Sequence, residues 1–373
     1  MSENTLKIRE NSEYSHKIPV REINLSRLVE SLFDCLSAKQ KLVLSSRFGI
    51  GSGEPKTKTL ESIGKNLNIT RERVRQIESD AIKALKYSEK NKNAGELVSL
   101  VNEITGEFGG SVSAGKLSGE IFSRYFGKRE ISLQEIRMLE AIFLLAGLKK
   151  LKADRETKES WAVSDFDKKY FNAAISKLEE IFETSKKILN IEDVLKKLDH
   201  SDFFEKYPQA KPEHIANFLE LSKKFGQNVF GDWGKAKWPL IRPRGVREKA
   251  TLVLLKRSKP LHFREISRLI EEFKLSDKKV HPQTVHNELI RANRFVLVGR
   301  GTYALREWGF EEGTVKDVIV SLLKSAGGYL ARENIYDAVL KKRKVKKATI
   351  AVNLADKKTF EKKKDGYSLR TTN

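Results

Sequence analysis

The sequence predicts a mainly α-helical chain with small β-hairpins: one helix-turn-helix domain, then a row of small modules of three helices and a hairpin. Three observations carry this. Between Thr59 and Glu78, apolar residues recur at helical spacing on both sides of a tight turn. Further along, an aromatic–x–aliphatic triplet returns four times, at intervals of 64 to 77 residues. Finally, charged residues make up 33% of the 373 residues, a surface-rich composition that suits several small cores rather than one large one.

Taken in order, residues 1–25 are polar and read as a flexible tail; MSENTLKIRENSEYSHK has no apolar centre and is not a signal peptide. Helical periodicity begins at Ser26. Ser37 and Gln40 form a capping box for a helix that ends at Gly49. Leu60, Ile63 and Leu67 then lie on one face of a helix, with Gly64 leaving room for a close crossing. Asn68 and Ile69 make the turn, and Thr70 caps the next helix. In that helix Val74, Ile77, Ala81 and Leu85 form the inward stripe. Arg71, Glu72, Arg75, Gln76 and Ser79 lie opposite.

The repeat organises the C-terminal three quarters of the chain. Trp161-Ala-Val163, Trp238-Pro-Leu240, Tyr303-Ala-Leu305 and Tyr367-Ser-Leu369 each read as a short strand with one buried face. The last two repeats also align at Thr284, Val285, Leu289 and Phe295 with Thr349, Ile350, Leu354 and Phe360. In the third, Gly299-Arg300-Gly301 is a hairpin turn in which glycine supplies positive φ. Three helices and a hairpin make a winged helix. The expected domains are therefore 26–94 for the helix-turn-helix, and 95–169, 170–244, 245–309 and 310–373 for the winged-helix modules.

Charge bounds the function. Lys and Arg number 72 against 50 Asp and Glu, net +22, which calls for a polyanionic partner, most simply nucleic acid. The excess is uneven. Residues 95–169 carry 12 basic and 12 acidic side chains, and 170–244 carry 13 and 11. Residues 245–309 carry 14 and 7, and 310–373 carry 15 and 8. The single cysteine, Cys35, excludes an internal disulfide or a cysteine-rich zinc site and suits a reducing cytoplasm. No stretch reaches the ~18 apolar residues of a membrane span. The expected protein is cytoplasmic and nucleoid-associated, without cofactor or metal.

The chemistry of the second helix of the turn is that of a base reader. Arginine can bond guanine bidentately, glutamine adenine, and glutamate can accept from cytosine N4. Arg71, Glu72, Arg75 and Gln76 fill its first two turns, where a recognition helix meets base edges, while Arg73 lies to the flank, suited to a phosphate. With the upstream Arg47-Phe48-Gly49 and the Thr59-Leu60-Glu61 start, the Thr70–Glu78 run closely resembles region 4 of primary sigma factors, the domain that reads the promoter −35 element. The resemblance covers roughly residues 26–90. It implies base contacts by Arg71, Glu72, Arg75 and Gln76, backbone contacts by Thr70 and Arg73, and RNA polymerase as a partner. Nothing resembles the aromatic helix that opens the −10 element, so a complete sigma factor is not expected.

Residues 245–309 resemble a second family, the HARE-type helix-turn-helix modules, through Pro260-Leu-His-Phe-Arg-Glu-Ile266, His281-Pro-Gln-Thr-Val-His-Asn-Glu-Leu-Ile290 and Arg294–Leu305. Such modules occur in the delta subunit of RNA polymerase, in chromatin regulators and fused to restriction enzymes. Pro282 suits the first turn of a helix from which Gln283, His286, Asn287 and Arg291 can face a groove or simply solvent. Lys341, Lys342, Arg343 and Lys344 open a basic run that can track phosphates or end a helix in solvent. His262, His281 and His286 lack a cysteine partner and converging spacing, so a metal role is not expected.

No P-loop, dinucleotide glycine pattern or HExxH is present. Asp154-Arg-Glu-Thr-Lys158 faintly resembles the acid–acid–lysine pattern of metal-dependent nucleases but falls in a wing between Leu151 and Trp161. The reading is therefore a non-enzymatic, DNA-binding transcription regulator acting with RNA polymerase. The alternatives are a polymerase accessory or scaffold protein whose winged helices bind protein and, remotely, a nuclease-associated or DNA-modification protein.

Overall fold

The computed structural model describes residues 25–50, 57–88, 94–127, 131–310, 313–343 and 345–370. The N-terminal tail, most of the 51–58 loop and Lys344 lie outside these. The chain is mainly helical, with small antiparallel sheets. Among the described residues no helix is long and apolar enough to cross a membrane. Two compact units form, one from the chain up to Ser185 with Ile191–Phe225, the other from Lys186–Asn190 with Gly226 onward.

In the first unit, α1 (Leu25–Phe33) leads into α2 (Ala38–Phe48), α3 (Leu60–Leu67) and α4 (Arg71–Tyr87). Ser37 and Gln40 form the capping box, and α2 stops where Gly49 takes φ 64°. Residues Val43, Ile63, Val74 and Ile77 close a small core between α2, α3 and α4, sealed by Leu60, Leu67 and Ile69. Gly64 serves a narrower purpose than helix crossing: a Cβ there would stand 2.7 Å from the Ile69 carbonyl oxygen, in the turn itself.

Next come α5 (Gly95–Glu107), β1 (Ser111–Val112), α6 (Ala114–Tyr125), α7 (Leu133–Leu145), β2 (Lys149–Leu151) and β3 (Ser160–Ala162). The strands pair antiparallel in the order β1-β3-β2, so the expected hairpin gains a third, two-residue strand. One core runs through both regions. Leu28, Val29 and Leu32 of α1, Leu44 of α2 and Leu85 of α4 pack with Leu97, Val101 and Ile104 of α5 and Leu139 and Ile142 of α7. Each such side chain contributes about 1.5–3 kcal/mol by leaving water, so the helix-turn-helix draws stability from residues beyond 94.

The first unit continues with α8 (Lys168–Ser185), α9 (Ile191–Asp199), α10 (Phe203–Lys206) and α11 (Pro212–Leu221). A buried polar contact fixes α11: Asn217 donates from Nδ2 to the carbonyls of Phe108 (2.8 Å) and Ser111 (2.6 Å). Beside it, His214 Nδ1 lies 3.2 Å from the Tyr170 hydroxyl. Burial of this pair lowers the His214 pKa and raises that of Tyr170.

Strands β4 (Phe225–Gln227) and β5 (Trp233–Lys235) form a two-stranded sheet. This corrects the second repeat: Trp238-Pro-Leu240 is a turn, not a strand, and the strand tryptophan is Trp233. Gly234 explains the displacement, since a Cβ there would meet the Trp238 ring at 2.7 Å; the chain folds back over its own strand.

The second unit then holds α12 (Val246–Arg257), β6 (Leu261–His262), α13 (Phe263–Glu272), α14 (Pro282–Arg291), β7 (Phe295–Gly299) and β8 (Thr302–Leu305). Sheet order is β6-β8-β7, and Gly301 supplies the positive φ of the turn, 66°. Last come α15 (Val315–Ser325), β9 (Tyr329–Ala331), α16 (Arg332–Lys342), α17 (Lys347–Leu354), β10 (Phe360–Lys362) and β11 (Gly366–Leu369), with sheet order β10-β11-β9. The aligned residues Val285, Leu289 and Phe295 and their counterparts Ile350, Leu354 and Phe360 are all buried.

Candidate nucleic-acid interface

Helix α4 is held by its ends and one face, leaving the other face to solvent. At its start the Thr70 hydroxyl accepts from the Arg73 N–H at 3.2 Å, satisfying one of the donors a helix N-terminus leaves unpaired. The preceding turn is closed by the Ile69 N–H donating to the Gly64 carbonyl (3.0 Å) and by Asn68 in the left-handed region, φ 51°. Val74, Ile77, Ala81 and Leu85 are buried.

A second clamp was not anticipated from sequence. Arg47, in the last turn of α2, donates from Nε to Glu78 at 2.9 Å and from a terminal nitrogen to the Lys58 carbonyl at 2.8 Å. One guanidinium thus joins α2, the approach to α3 and the middle of α4. The sequence signal was the pairing of Arg47 with Glu78, visible only once the two helices are known to cross.

On the open face, Arg71, Glu72, Arg73, Arg75 and Gln76 are all exposed. Two pairs form there. Arg75 grips Glu72 with contacts of 2.6 to 3.0 Å, which lowers the Glu72 pKa through that hydrogen bond. Arg73 donates to Gln76 Oε1 at 3.0 Å. Exposed pairs of this kind are worth little and exchange readily, so they hold the side chains extended without committing them.

The second candidate face is α14. Gln283 donates to Asn287 Oδ1 at 3.1 Å and lies 3.4 Å from His286 Nδ1. His286 packs tilted against Phe263 with ring centroids 4.5 Å apart, while Arg291 is exposed near Glu288 at 3.9 Å. The other two histidines act as caps: His262 Nδ1 accepts from the Arg264 N–H and His281 Nδ1 from the Gln283 N–H, each at 3.3 Å. Among the described residues no group of three or more His, Cys, Asp or Glu is placed to hold a metal. Asp154 likewise accepts from the backbone N–H groups of Glu156 (2.8 Å) and Thr157 (2.6 Å), and Glu156 faces Lys224 at 3.3 Å.

The basic run does not form one surface. Lys341 is exposed and Lys342 half-buried, but Arg343 is 4% exposed, its guanidinium donating to the carbonyls of Leu297 and Gly313. Arg343 is therefore withdrawn from the phosphate-tracking set, because its donors are committed to backbone oxygens inside the unit. Lys344 lies outside the described residues.

Residues 32–87, which span α2, α3 and α4, match the family described as Sigma-70, region 4. Over 63 residues the chain is 52% identical to the RNA polymerase sigma factor RpoD of Helicobacter pylori, covering 17% of this chain and 9% of that protein. Over 80 residues it is 38% identical to the RNA polymerase sigma factor SigA of Lactococcus lactis, covering 21% and 20% respectively. A SigA from a Bacillus species is 40% identical over 68 residues, 18% of each chain. The chain thus spans no more than about a fifth of these relatives, and its remaining modules lie outside the likeness. Over residues 32–87 it is similar to region 4 of the sigma-70 factors.

Proposed function

We propose that the chain is a DNA-binding transcription regulator that works with RNA polymerase and reads a −35-like promoter element through α4. The observation that carries this is the exposed row Arg71, Glu72, Arg75 and Gln76 on a helix clamped on its other side, within the segment similar to region 4. The pairs on that row suit exchange. Reading adenine engages both Oε1 and Nε2 of glutamine, and the exposed Arg73 contact to Oε1 can be given up when DNA binds. A phosphate is the natural acceptor for the released guanidinium, and Thr70 stands at the same end of the helix. The likeness of residues 245–309 to HARE-type modules, and the three-helix, three-stranded build of 245–309 and 310–373, favour winged helices that hold flanking DNA. On this reading the protein acts in the cytoplasm, at the nucleoid, and is not an enzyme.

A scaffold role for the middle of the chain is the second reading, favoured by the charge balance of residues 95–169 and 170–244, which offer little net attraction to phosphate. The two readings combine in one molecule: the ends hold DNA and the centre binds protein. The test is selection from a random duplex pool by the full chain, followed by sequencing. One enriched short motif, lost when Arg75 and Gln76 are both alanine, supports the reader. Retention of duplexes without enrichment of any motif overturns it.

A further inference from the structure

The two C-terminal modules are repeats with different surfaces, and the difference assigns them different work. Thr284 of α14 aligns with Thr349 of α17, so the α14 positions Gln283, His286 and Asn287 answer to Ala348, Ala351 and Val352. Where α14 offers amide and imidazole groups, α17 offers three side chains without a donor or acceptor, and Val352 is 73% exposed. At these three positions α17 has nothing to bond to base edges in a groove.

The hairpin differs in the opposite sense. Between β7 and β8 the turn carries one cation, Arg300; at the end of β10 and in the turn to β11 stand Lys362, Lys363 and Lys364, all exposed, followed by the exposed Asp365. Lys363 has a carboxylate close by, Glu361 at 3.1 Å, both about half exposed, an ion pair of little worth that a phosphate can replace. The hairpin is also fixed. Lys363 N–H donates to the Gly366 carbonyl at 2.9 Å, and Gly366 is pressed so closely on the Leu330 backbone of β9 that a Cβ would collide with it. The Lys341–Lys347 run also exposes Lys341, Lys346 and Lys347 but has no such hairpin to hold them together. Its Arg343 is buried, and Lys347 lines a cavity with Arg332, Glu333 and Asp337.

We propose that the last module grips the duplex backbone through the Lys362–Lys364 hairpin and reads no bases, so that it adds affinity without sequence preference. This rests on the reading that duplex DNA is the partner. Labour is then divided between the two ends of the chain, α4 specifying the site and the terminal hairpin holding the duplex.

Two triple variants of the full chain test this, K362Q/K363Q/K364Q and K341Q/K346Q/K347Q. Each removes three charges from exposed positions, so net charge is matched. Affinity for a random-sequence duplex is measured by fluorescence anisotropy between about 50 and 200 mM salt, where each neutralised phosphate contributes about 0.9 to the log–log slope. The hairpin variant is expected to lose about 2 to 3 from the slope and at least tenfold in affinity at ~100 mM salt, with its ratio of specific to random binding unchanged. The run variant is expected to change less than about threefold. Equal losses in both, or a larger loss in the run variant, overturn the hairpin assignment while leaving the DNA reading intact. A changed specificity ratio in the hairpin variant overturns the claim that the module reads no bases. Absence of salt-dependent duplex binding by the parent chain overturns the DNA reading and this inference together.

Discussion

An alanine at position 64 would place its Cβ 2.7 Å from the Ile69 carbonyl oxygen and 3.5 Å from the Arg71 nitrogen. Ordinary contact begins near 3.4 Å, so the turn backbone must give by several tenths of an ångström. The atom that must move belongs to the peptide joining Ile69 to Thr70, the residue that caps α4. Overpacking of this kind costs about 1–3 kcal/mol, and replacing a helical glycine by alanine returns about 1 kcal/mol. The net loss is ~0–2 kcal/mol, a fall of a few degrees in Tm. Binding should suffer more than stability. A bidentate base contact tolerates little displacement, and losing one is worth ~1–3 kcal/mol, so affinity for the selected site should fall about tenfold while random-duplex affinity holds. Gly119→Ala is the control: it lies inside α6 with nothing within 4 Å of the added Cβ, and should be neutral or stabilising by up to ~1 kcal/mol. Thermal melting and paired anisotropy titrations decide it. A Gly64→Ala protein at least as stable as the parent, with unchanged site preference, would refute the claim that this backbone contact aims α4.

Two further outcomes are expected. Arg343→Ala should lower the Tm of the second unit, since the carbonyls of Leu297 and Gly313 lose a charged donor in a dry site, at about 1–3 kcal/mol; Arg343→Lys should not restore it, because one ammonium lacks the planar fork. Stability should also fall with acid in a way His214 controls. Burial lowers its folded-state pKa, so between that value and the unfolded value near 6.5 the unfolded chain binds more protons, and stability is complete above ~6.5 and declines below it. Melting His214→Gln beside the parent from pH 7.5 to 5 should show a smaller loss in the variant; parallel losses would mean that other groups govern the acid limb.

Local chemistry was legible where one residue type has one use. The Ser37–Gln40 capping box, the Thr70 cap, the left-handed Gly49 and the inward stripe of α4 stand where the sequence places them, because caps and helical periodicity depend on near neighbours. The features that escaped depend on distant ones. The Trp238-Pro-Leu240 triplet has the pattern of a strand, yet Trp238 folds back onto Gly234, and a glycine within a strand was the only local sign. The core shared by α1, α4, α5 and α7 hides behind a polar stretch near residue 90 that looks like a boundary. The third strands are two or three residues long, too short for alternation to register. The site divides the same way. The exposed polar face of α4 follows from periodicity, whereas the Arg47–Glu78 clamp and the withdrawal of Arg343 from a basic run require knowing which backbone oxygens and carboxylates lie across the fold. Counting charge along a run treats every cation as available, and one of these is used inside.

The central claim is that α4 distinguishes sequences, and the direct measurement is the ratio of affinity for the selected site to affinity for random duplex in three full-length variants. Arg75→Ala and Gln76→Ala should each lower that ratio about tenfold, with the loss confined to substitutions at one base-pair position. Arg73→Ala should weaken both duplexes alike, leave the ratio unchanged and reduce the salt slope by about 1. Equal loss on selected and random DNA in all three variants would contradict the account and leave α4 a charged face that touches backbone alone.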